Sequence, residues 1–413
     1  MAPSRRLFGG IRLRRSPLLR TRALRQLTLA NGLVGLSSSI ALPFTPLFLT
    51  RRVGASATEI GLLLTLSGAA GVLVSSLLGP LSDRLPSRKP LIAVGCLSLA
   101  ACNVVYAFSR DYLVVLAASV TLQAGAWVAV PQLYARGREL LDELGAAPAP
   151  ALTALRSMVS LAWIVGPPAA GALLTVTGFP QIFLLEAVVV AAAAALVVAD
   201  GERGADRVRV DQPARRSSGL VRWPFPQLGA GVALAAGAVV LVQTANSMSV
   251  TTMPLLVTTV LHGSPRDVGL VFGLSAGLEV PVMLALGRAA GRYGSLRVML
   301  PSLLFGVLYF ACVGVATSTW EVFAAQVLST VYVSGLYGVG IAYFQELVAE
   351  PGTASTLFFN SLTTGSTVAG VLWGAVVVAS GYRGTLAAGV ALTATSIVVL
   401  GAGHALSRPA RRA

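Results

Sequence analysis

Gly79-Pro80-Leu81-Ser82-Asp83-Arg84-Leu85-Pro86-Ser87-Arg88-Lys89 sets a turn and four charges between two long apolar runs. An eroded copy, Gly287-Arg288-Ala289-Ala290-Gly291-Arg292-Tyr293-Gly294-Ser295-Leu296-Arg297, follows at an offset of 208 residues. The chain therefore reads as two copies of one unit. In a strongly apolar sequence, such a repeat is the pattern of molecules whose two halves rock about a central site to move a solute across a membrane.

Composition supports that class. Hydrophobic residues make up 55% of the 413-residue chain and charged residues 11%, with a mean hydropathy of +0.77; a soluble domain carries about a quarter charged residues. Apolar runs occur at 24–49, 59–81, 90–108, 112–134, 152–177, 180–199, 228–259, 267–288, 296–316, 320–345, 354–379 and 382–404. Each is long enough for a helix to cross a hydrocarbon core about 30 Å thick. The pattern predicts an all-α integral membrane protein with twelve transmembrane helices in two pseudo-symmetric six-helix bundles. Its expected organisation is a basic N-terminal segment (1–22), a first bundle (23–199), a linker (200–226), a second bundle (227–405) and a tail (406–413). Pro43 with Pro46, Pro167 with Pro168, Pro254 and Pro281 lie inside these runs and are read as kinks, which bilayer helices tolerate.

The net charge of +15 raises nucleic acid as a partner, but its distribution argues against one. Under the twelve-span reading, 26 of the 31 Lys and Arg fall on the side of the N-terminus, and five (Arg51, Arg52, Arg110, Arg266 and Arg383) fall on the other. That bias places both termini and the linker in the cytoplasm. The Arg-rich start, Arg5 to Arg25, runs into a full span without a cleavage site; it reads as a juxtamembrane segment at anionic lipid. The linker mixes Asp200, Glu202, Asp206 and Asp211 with six arginines, a solvated connector with no chemistry of its own.

Nothing in the chain calls for a metal or a cofactor. Cys96, Cys102 and Cys312 lie in apolar spans without metal-like spacing, and His262 and His404 stand apart from any Ser or Asp constellation. Without a phosphate-binding loop the protein cannot use ATP, so energy must come from a gradient. No enzyme activity is expected.

Polar residues inside the spans mark the pathway. Most of the Asn and Gln there, Asn31, Gln123, Gln132, Gln243, Asn246, Gln326 and Gln345 among them, are on spans 1, 4, 7 and 10. An amide facing lipid is costly, so these side chains should face one another or water within the bundle. Gln243, Asn246, Ser247 and Thr251 form one helical stripe. Taken singly, each amide is more often an interhelical bond than a substrate ligand; together they mark a cavity.

The 79–89 stretch resembles the loop motif of the major facilitator superfamily. The resemblance implies that Asp83, with Arg84, Arg88 and Lys89, forms a latch holding the two halves together on the cytoplasmic side in one state. The second copy has Gly291 in place of Asp83, which makes the latch one-sided. Gly166-Pro167-Pro168-Ala169-Ala170-Gly171 is similar to the antiporter motif of exporters in that superfamily and reads equally as a packing seam. A closer similarity, to the bacterial sugar efflux transporter family, rests on stretches from span 1 to span 11. They include Arg52-Val53-Gly54, Pro131-Gln132, Val159-Ser160-Leu161-Ala162-Trp163, Asn246-Ser247, Met253-Pro254-Leu255, Ala276-Gly277-Leu278-Glu279 and Tyr343-Phe344-Gln345. It implies proton-coupled export of sugars or small glycosides by a monomer in the bacterial inner membrane.

Sugar sites pair amides with a flat aromatic. The expected substrate-binding set is Asn31, Gln123, Trp127, Gln132, Trp163, Gln243, Asn246, Tyr332, Tyr337 and Asn360. Glu279 and Glu186, carboxyls in membrane spans, are expected to take part in proton coupling together with Arg156. Each of the three has a purely structural reading as well. Three functions stay open: a sugar or glycoside exporter, a multidrug or other small-solute proton antiporter, and a membrane sensor without transport.

Overall fold

The computed structural model describes residues 21–82, 85, 87–144, 148–199, 229–348 and 351–407. Helices form where the apolar runs predict them, because in hydrocarbon each backbone N–H and C=O needs a partner within its own segment. In chain order they are α1 (Arg22–Val53), α2 (Ala57–Ser82), α3 (Lys89–Phe108), α4 (Tyr112–Leu141), α5 (Pro148–Val176) and α6 (Phe179–Val198) in the first half. The second half holds α7 (Ala230–Val260), α8 (Pro265–Tyr293), α9 (Ser295–Val315) and α10 (Thr319–Leu347). It closes with a helical stretch, Pro351–Ser407, of 57 residues. One straight rod of that length would span about 85 Å, far more than a bilayer core. The backbone breaks at Gly381 (φ 69°, ψ −173°), so the stretch is two helices, α11 (351–380) and α12 (382–407). With those two counted as one, eleven stretches are long and apolar enough to cross a membrane. Among the described residues there is no strand.

The interior prolines do not end their helices. Pro167 and Pro168 lie within α5, Pro254 within α7 and Pro281 within α8. Leu42–Phe44 is a tighter turn inside α1, where Pro43 removes an N–H donor. Four wider turns, each holding an extra residue, lie at Leu49–Val53, Ser119–Gln123, Leu256–Val260 and Gly335–Val339. They fall on α1, α4, α7 and α10, the helices that carry most of the amides.

The repeat is visible in atomic detail at the first turn of each half. Ser56 Oγ and N–H both donate to Glu59 Oε2, at 2.7 and 2.8 Å, capping α2. At an offset of 208, Ser264 Oγ and N–H both donate to Asp267 Oδ2 at 2.8 Å, capping α8. The turns leading in are matched too: Gly54 has φ 76°, and His262, at the same offset, has φ 55°.

Alternation of the helices puts the turns at 54–56, 177–178, 261–264 and 381 at one end of the bundle, called here the Gly54 end. Lys89, Gly294 and both termini of the described chain are at the other. The halves meet at the Gly54 end. There a Cβ on Gly61 would stand 2.5 Å from the Gly370 carbonyl, and one on Gly171 would stand 2.5 Å from the Pro265 carbonyl. Backbone touches backbone at both seams, α2 with α11 and α5 with α8, and only glycine permits such an approach. Thr65 Oγ1 donates to the Thr367 carbonyl at 3.1 Å, and Arg51 Nη2 to the Thr258 carbonyl at 3.3 Å. Further along α8, toward the opposite end, a Cβ on Gly277, Gly287 or Gly291 would meet nothing within 4 Å.

Candidate functional site

Among the described residues, a connected polar group inside the membrane region lies in the second half. Helical spacing puts Gln243, Asn246 and Ser247 on one side of α7. Gln243 Nε2 donates to Ser247 Oγ at 3.1 Å and to Ser366 Oγ of α11 at 2.9 Å. From α10, Tyr337 Oη donates to Gln243 Oε1 at 2.7 Å, and Asn246 Nδ2 donates back to Tyr337 Oη at 3.3 Å. Ser247 Oγ also donates to Ser366 Oγ at 3.2 Å. Asn246 Oδ1 accepts nothing from a described residue.

Local structure brings these groups together. A Cβ on Gly365 would stand 2.8 Å from Gln243 Cβ, so the missing side chain there allows α11 close enough for Ser366 to reach α7. Tyr337 sits in the wide turn Gly335–Val339, whose extra residue re-aims side chains relative to a regular helix. The cluster therefore contains hydroxyls and amides that both donate and accept, with an aromatic ring among them, at a boundary of buried and partly exposed side chains. Such a group can trade its internal bonds for those of a polyhydroxylated ligand. Ser366 is absent from the sequence-based set. The signal for it is Thr363-Thr364-Gly365-Ser366-Thr367, a hydroxyl and glycine run inside an apolar span.

Three of the expected ligands are held by the fold. Tyr332 is 0% exposed and donates to the Val242 carbonyl at 2.9 Å; its ring packs edge-on to Phe310. Asn31, 2% exposed, donates to the Leu155 carbonyl at 2.8 Å and ties α1 to α5. Gln132, 5% exposed, accepts from Arg88. In this conformation all three serve as interhelical bonds.

Other expected residues are more open. Gln123 accepts from Tyr106 Oη at 3.2 Å at the end of the wide turn in α4. Trp127 lies against Gly71 and is 48% exposed. Trp163 is half-buried on α5, and Asn360 is exposed on α11.

Of the charged residues, Glu279 is half-buried on α8, and its backbone carbonyl accepts from Ser334 Oγ of α10 at 3.4 Å. Glu186 is buried on α6 and accepts from Ser37 Oγ at 3.3 Å. The side chain of Arg156, like Asp83 and Arg84, lies outside the described residues. Arg88 Nε pairs with Glu139 Oε1 at 2.8 Å, and its Nη1 donates to Ser82 Oγ at 3.1 Å. Those bonds and the one to Gln132 tie Arg88 to α2 and α4 within the first half. Lys89 opens α3, its N–H donating to Ser87 Oγ at 3.3 Å.

An apolar cavity of about 690 Å³ lies elsewhere, between α5, α8 and α10 at the Gly54 end. Leu270, Leu274, Trp320 and Phe323 dominate its walls. Its single carboxylate, Asp267, is already engaged in the Ser264 cap.

Comparison with known proteins gives a consistent assignment. The family model described as Major Facilitator Superfamily matches residues 27–228 and 235–412. Sugar efflux transporter A of Dickeya chrysanthemi is 32% identical over 370 residues, covering 89% of this chain and 92% of the relative. Sugar efflux transporter A of Escherichia coli (strain K12) is 32% identical over 352 residues, covering 85% and 88%. The crystal structure of the nucleoside transporter NupG superposes with a TM-score of 0.72 at 15% identity, over 94% of this chain and all of that one. A bacterial homolog of the human lysosomal transporter Spinster, inward-facing and occupied, gives 0.64 at 13% identity, over 93% and 95%. These two likenesses concern the fold alone. The chain is a multi-pass membrane protein of the major facilitator superfamily and belongs, within it, to the sugar efflux transporter family.

Proposed function

We propose that the protein is a secondary active exporter of sugars or small glycosides that exchanges them for protons by alternating access. The observation that carries this reading is the Gln243–Asn246–Ser247–Tyr337–Ser366 cluster. Its hydroxyls and amides suit a ligand with many hydroxyls and no fixed charge, and the names of the relatives agree with that chemistry. Gln123, Trp127, Trp163 and Asn360 complete the proposed set. The Glu279 and Glu186 carboxyls provide proton coupling, with Arg156 as a partner, and Asp83 and Arg84 join Arg88 and Lys89 in the latch.

Orientation follows from charge. The 26-to-5 bias of basic residues makes the Gly54 end external and puts both termini and the 200–226 linker in the cytoplasm of a bacterial inner membrane. The seams at Gly61 and Gly171 then close the outside, and the conformation is one that loads from the cytoplasm, as an exporter must. The protein works as a monomer in contact with lipid, with no nucleic acid and no cofactor.

The test is accumulation of labelled sugars by proteoliposomes under an imposed pH gradient, with a cationic dye as the parallel substrate. Gradient-driven movement of sugar but not dye supports the reading. Dye movement alone would make the protein a multidrug antiporter, for which the apolar cavity at Trp320 and Phe323 is the better site. No movement of either leaves a non-transporting sensor. In the same vesicles, Glu279→Gln should abolish gradient-driven accumulation while sugar-for-sugar counterflow persists.

A further inference from the structure

Glu186 occupies an unusual position. Its side chain is 4% exposed, deep in the first half. Oε1 accepts from Ser37 Oγ of α1 at 3.3 Å, and Oε2 has no partner. From α3, Asn103, Cys102 and Tyr106 face it. Neither of the titratable groups among them is a cation, and Glu186 forms no ion pair with a described residue. Arg156 follows Leu155, whose carbonyl is bonded to Asn31. Asn31 is six residues before Ser37, about 9 Å along α1, so the backbone places Arg156 at another level of the bundle.

Water is excluded from one side by three rings. Phe183 is one turn from Glu186 toward the Gly54 end, and its ring meets those of Phe48 at 4.7 Å and Tyr106 at 5.3 Å. Phe48 stacks on Tyr106 at 5.5 Å. A carboxylate without counter-charge or water in such a place costs far more than the neutral acid. From Tyr106 Oη, polar contacts branch to Ser119 Oγ at 2.6 Å and to Gln123 Oε1 at 3.2 Å, both on α4.

From this geometry we propose that Glu186, held by Ser37 and faced by Asn103 beneath the Phe48–Tyr106–Phe183 plug, is a proton-binding site physically separate from the sugar cluster of the other half. The inference rests on the antiport reading and deepens it. Proton and sugar then never compete for the same atoms. Glu186 takes up its proton when rearrangement of the plug admits water at the Gly54 end, holds it once that end has closed, and gives it up toward the cytoplasmic side when sugar binds, so the two ligands are linked only through the conformations each favours.

Infrared spectroscopy of the purified full-length protein at neutral pH tests the site itself. A C=O stretch from a protonated carboxyl should be present and should vanish in Glu186→Gln; Ser37→Ala, which keeps the acid, should shift that band. Sugar affinity provides the second measurement. In the wild type, sugar binding should release protons into weak buffer, and affinity should fall by about tenfold as pH is lowered through the titration. Glu186→Gln should reduce both effects, and what remains belongs to Glu279. An infrared spectrum that is the same in the wild type and Glu186→Gln, or a pH dependence that the substitution leaves unchanged, overturns the proposal. If Glu186→Gln does not fold, the Ser37→Ala band shift decides alone, and an unshifted spectrum overturns it. If no sugar binds the wild type, the sugar reading fails and the band still settles Glu186.

Discussion

Two tyrosines on one helix illustrate how far burial separates structure from recognition. Tyr337 donates to Gln243 at 2.7 Å at the rim of the polar cluster, whereas Tyr332 is sealed in the core with its hydroxyl on a backbone carbonyl. Removing one neutral hydrogen bond costs on the order of 1 kcal/mol. Tyr337→Phe should therefore weaken sugar binding by about five- to tenfold at unchanged stability, as measured by equilibrium binding and thermal unfolding. Tyr332→Phe should lower stability by about 1 kcal/mol and leave affinity alone; the opposite pattern would remove Tyr337 from the site. Gly54→Ala isolates a backbone effect, since a Cβ there meets nothing within 4 Å but φ is 76°. A loss of about 1 kcal/mol in unfolding free energy is expected. The amides were legible in the sequence as a group, but not their division of labour. Asn31 and Gln243 are the same chemistry in the same kind of helix, and only the position of the Leu155 carbonyl and of Ser366 separates tie from ligand.

At the scale of helices, the two seams at the Gly54 end govern the conformational state. Gly61 of α2 and Gly370 of α11 touch backbone to backbone, so a methyl group there cannot be absorbed by a flexible side chain. Overpacking of this kind costs about 1–3 kcal/mol, and that cost falls only on the state in which the seam is closed. Gly61→Ala should shift the population toward a state open at the Gly54 end, read as a longer distance between spin labels on α2 and α11. Gly277→Ala, with nothing within 4 Å, is the matched control and should leave the distance unchanged. Hydropathy gives the helices because twenty apolar residues have few alternatives in a bilayer. The capping boxes at Ser56 and Ser264 were also legible, as Ser-x-x-acid at an offset of 208. The wide turns were not, since an extra residue in a helix has no compositional mark. The surroundings of Glu186 come from α1 and α3, at sequence distances of 149 for Ser37 and about 80 for Tyr106, so its own helix face reads as plain aliphatic.

For the molecule as a whole, orientation is the decisive quantity, because the closed Gly54 end means loading from the cytoplasm only if that end is external. Cys96, Cys102 and Cys312 are the three native thiols. In a background lacking them, cysteine at Arg52, an exposed residue of the Gly54 end, should be labelled by an impermeant reagent added outside cells. Cysteine at Ser217 in the linker should be labelled only after the membrane is opened. Labelling of Ser217 alone from outside would invert the assignment and turn the loading side around.

The paired turns at Gly54 and His262 also record the history of the chain. Each half leaves its first helix through a five-residue wide turn and a left-handed residue, then enters the next helix through a serine cap. Two separate acquisitions at matching positions would be a coincidence; a single ancestral six-helix unit carried this junction before its gene doubled. The second copy has histidine where the first has glycine, at a φ of 55° against 76°. The junction thus keeps its left-handed shape in a copy without the residue that adopts that shape most easily.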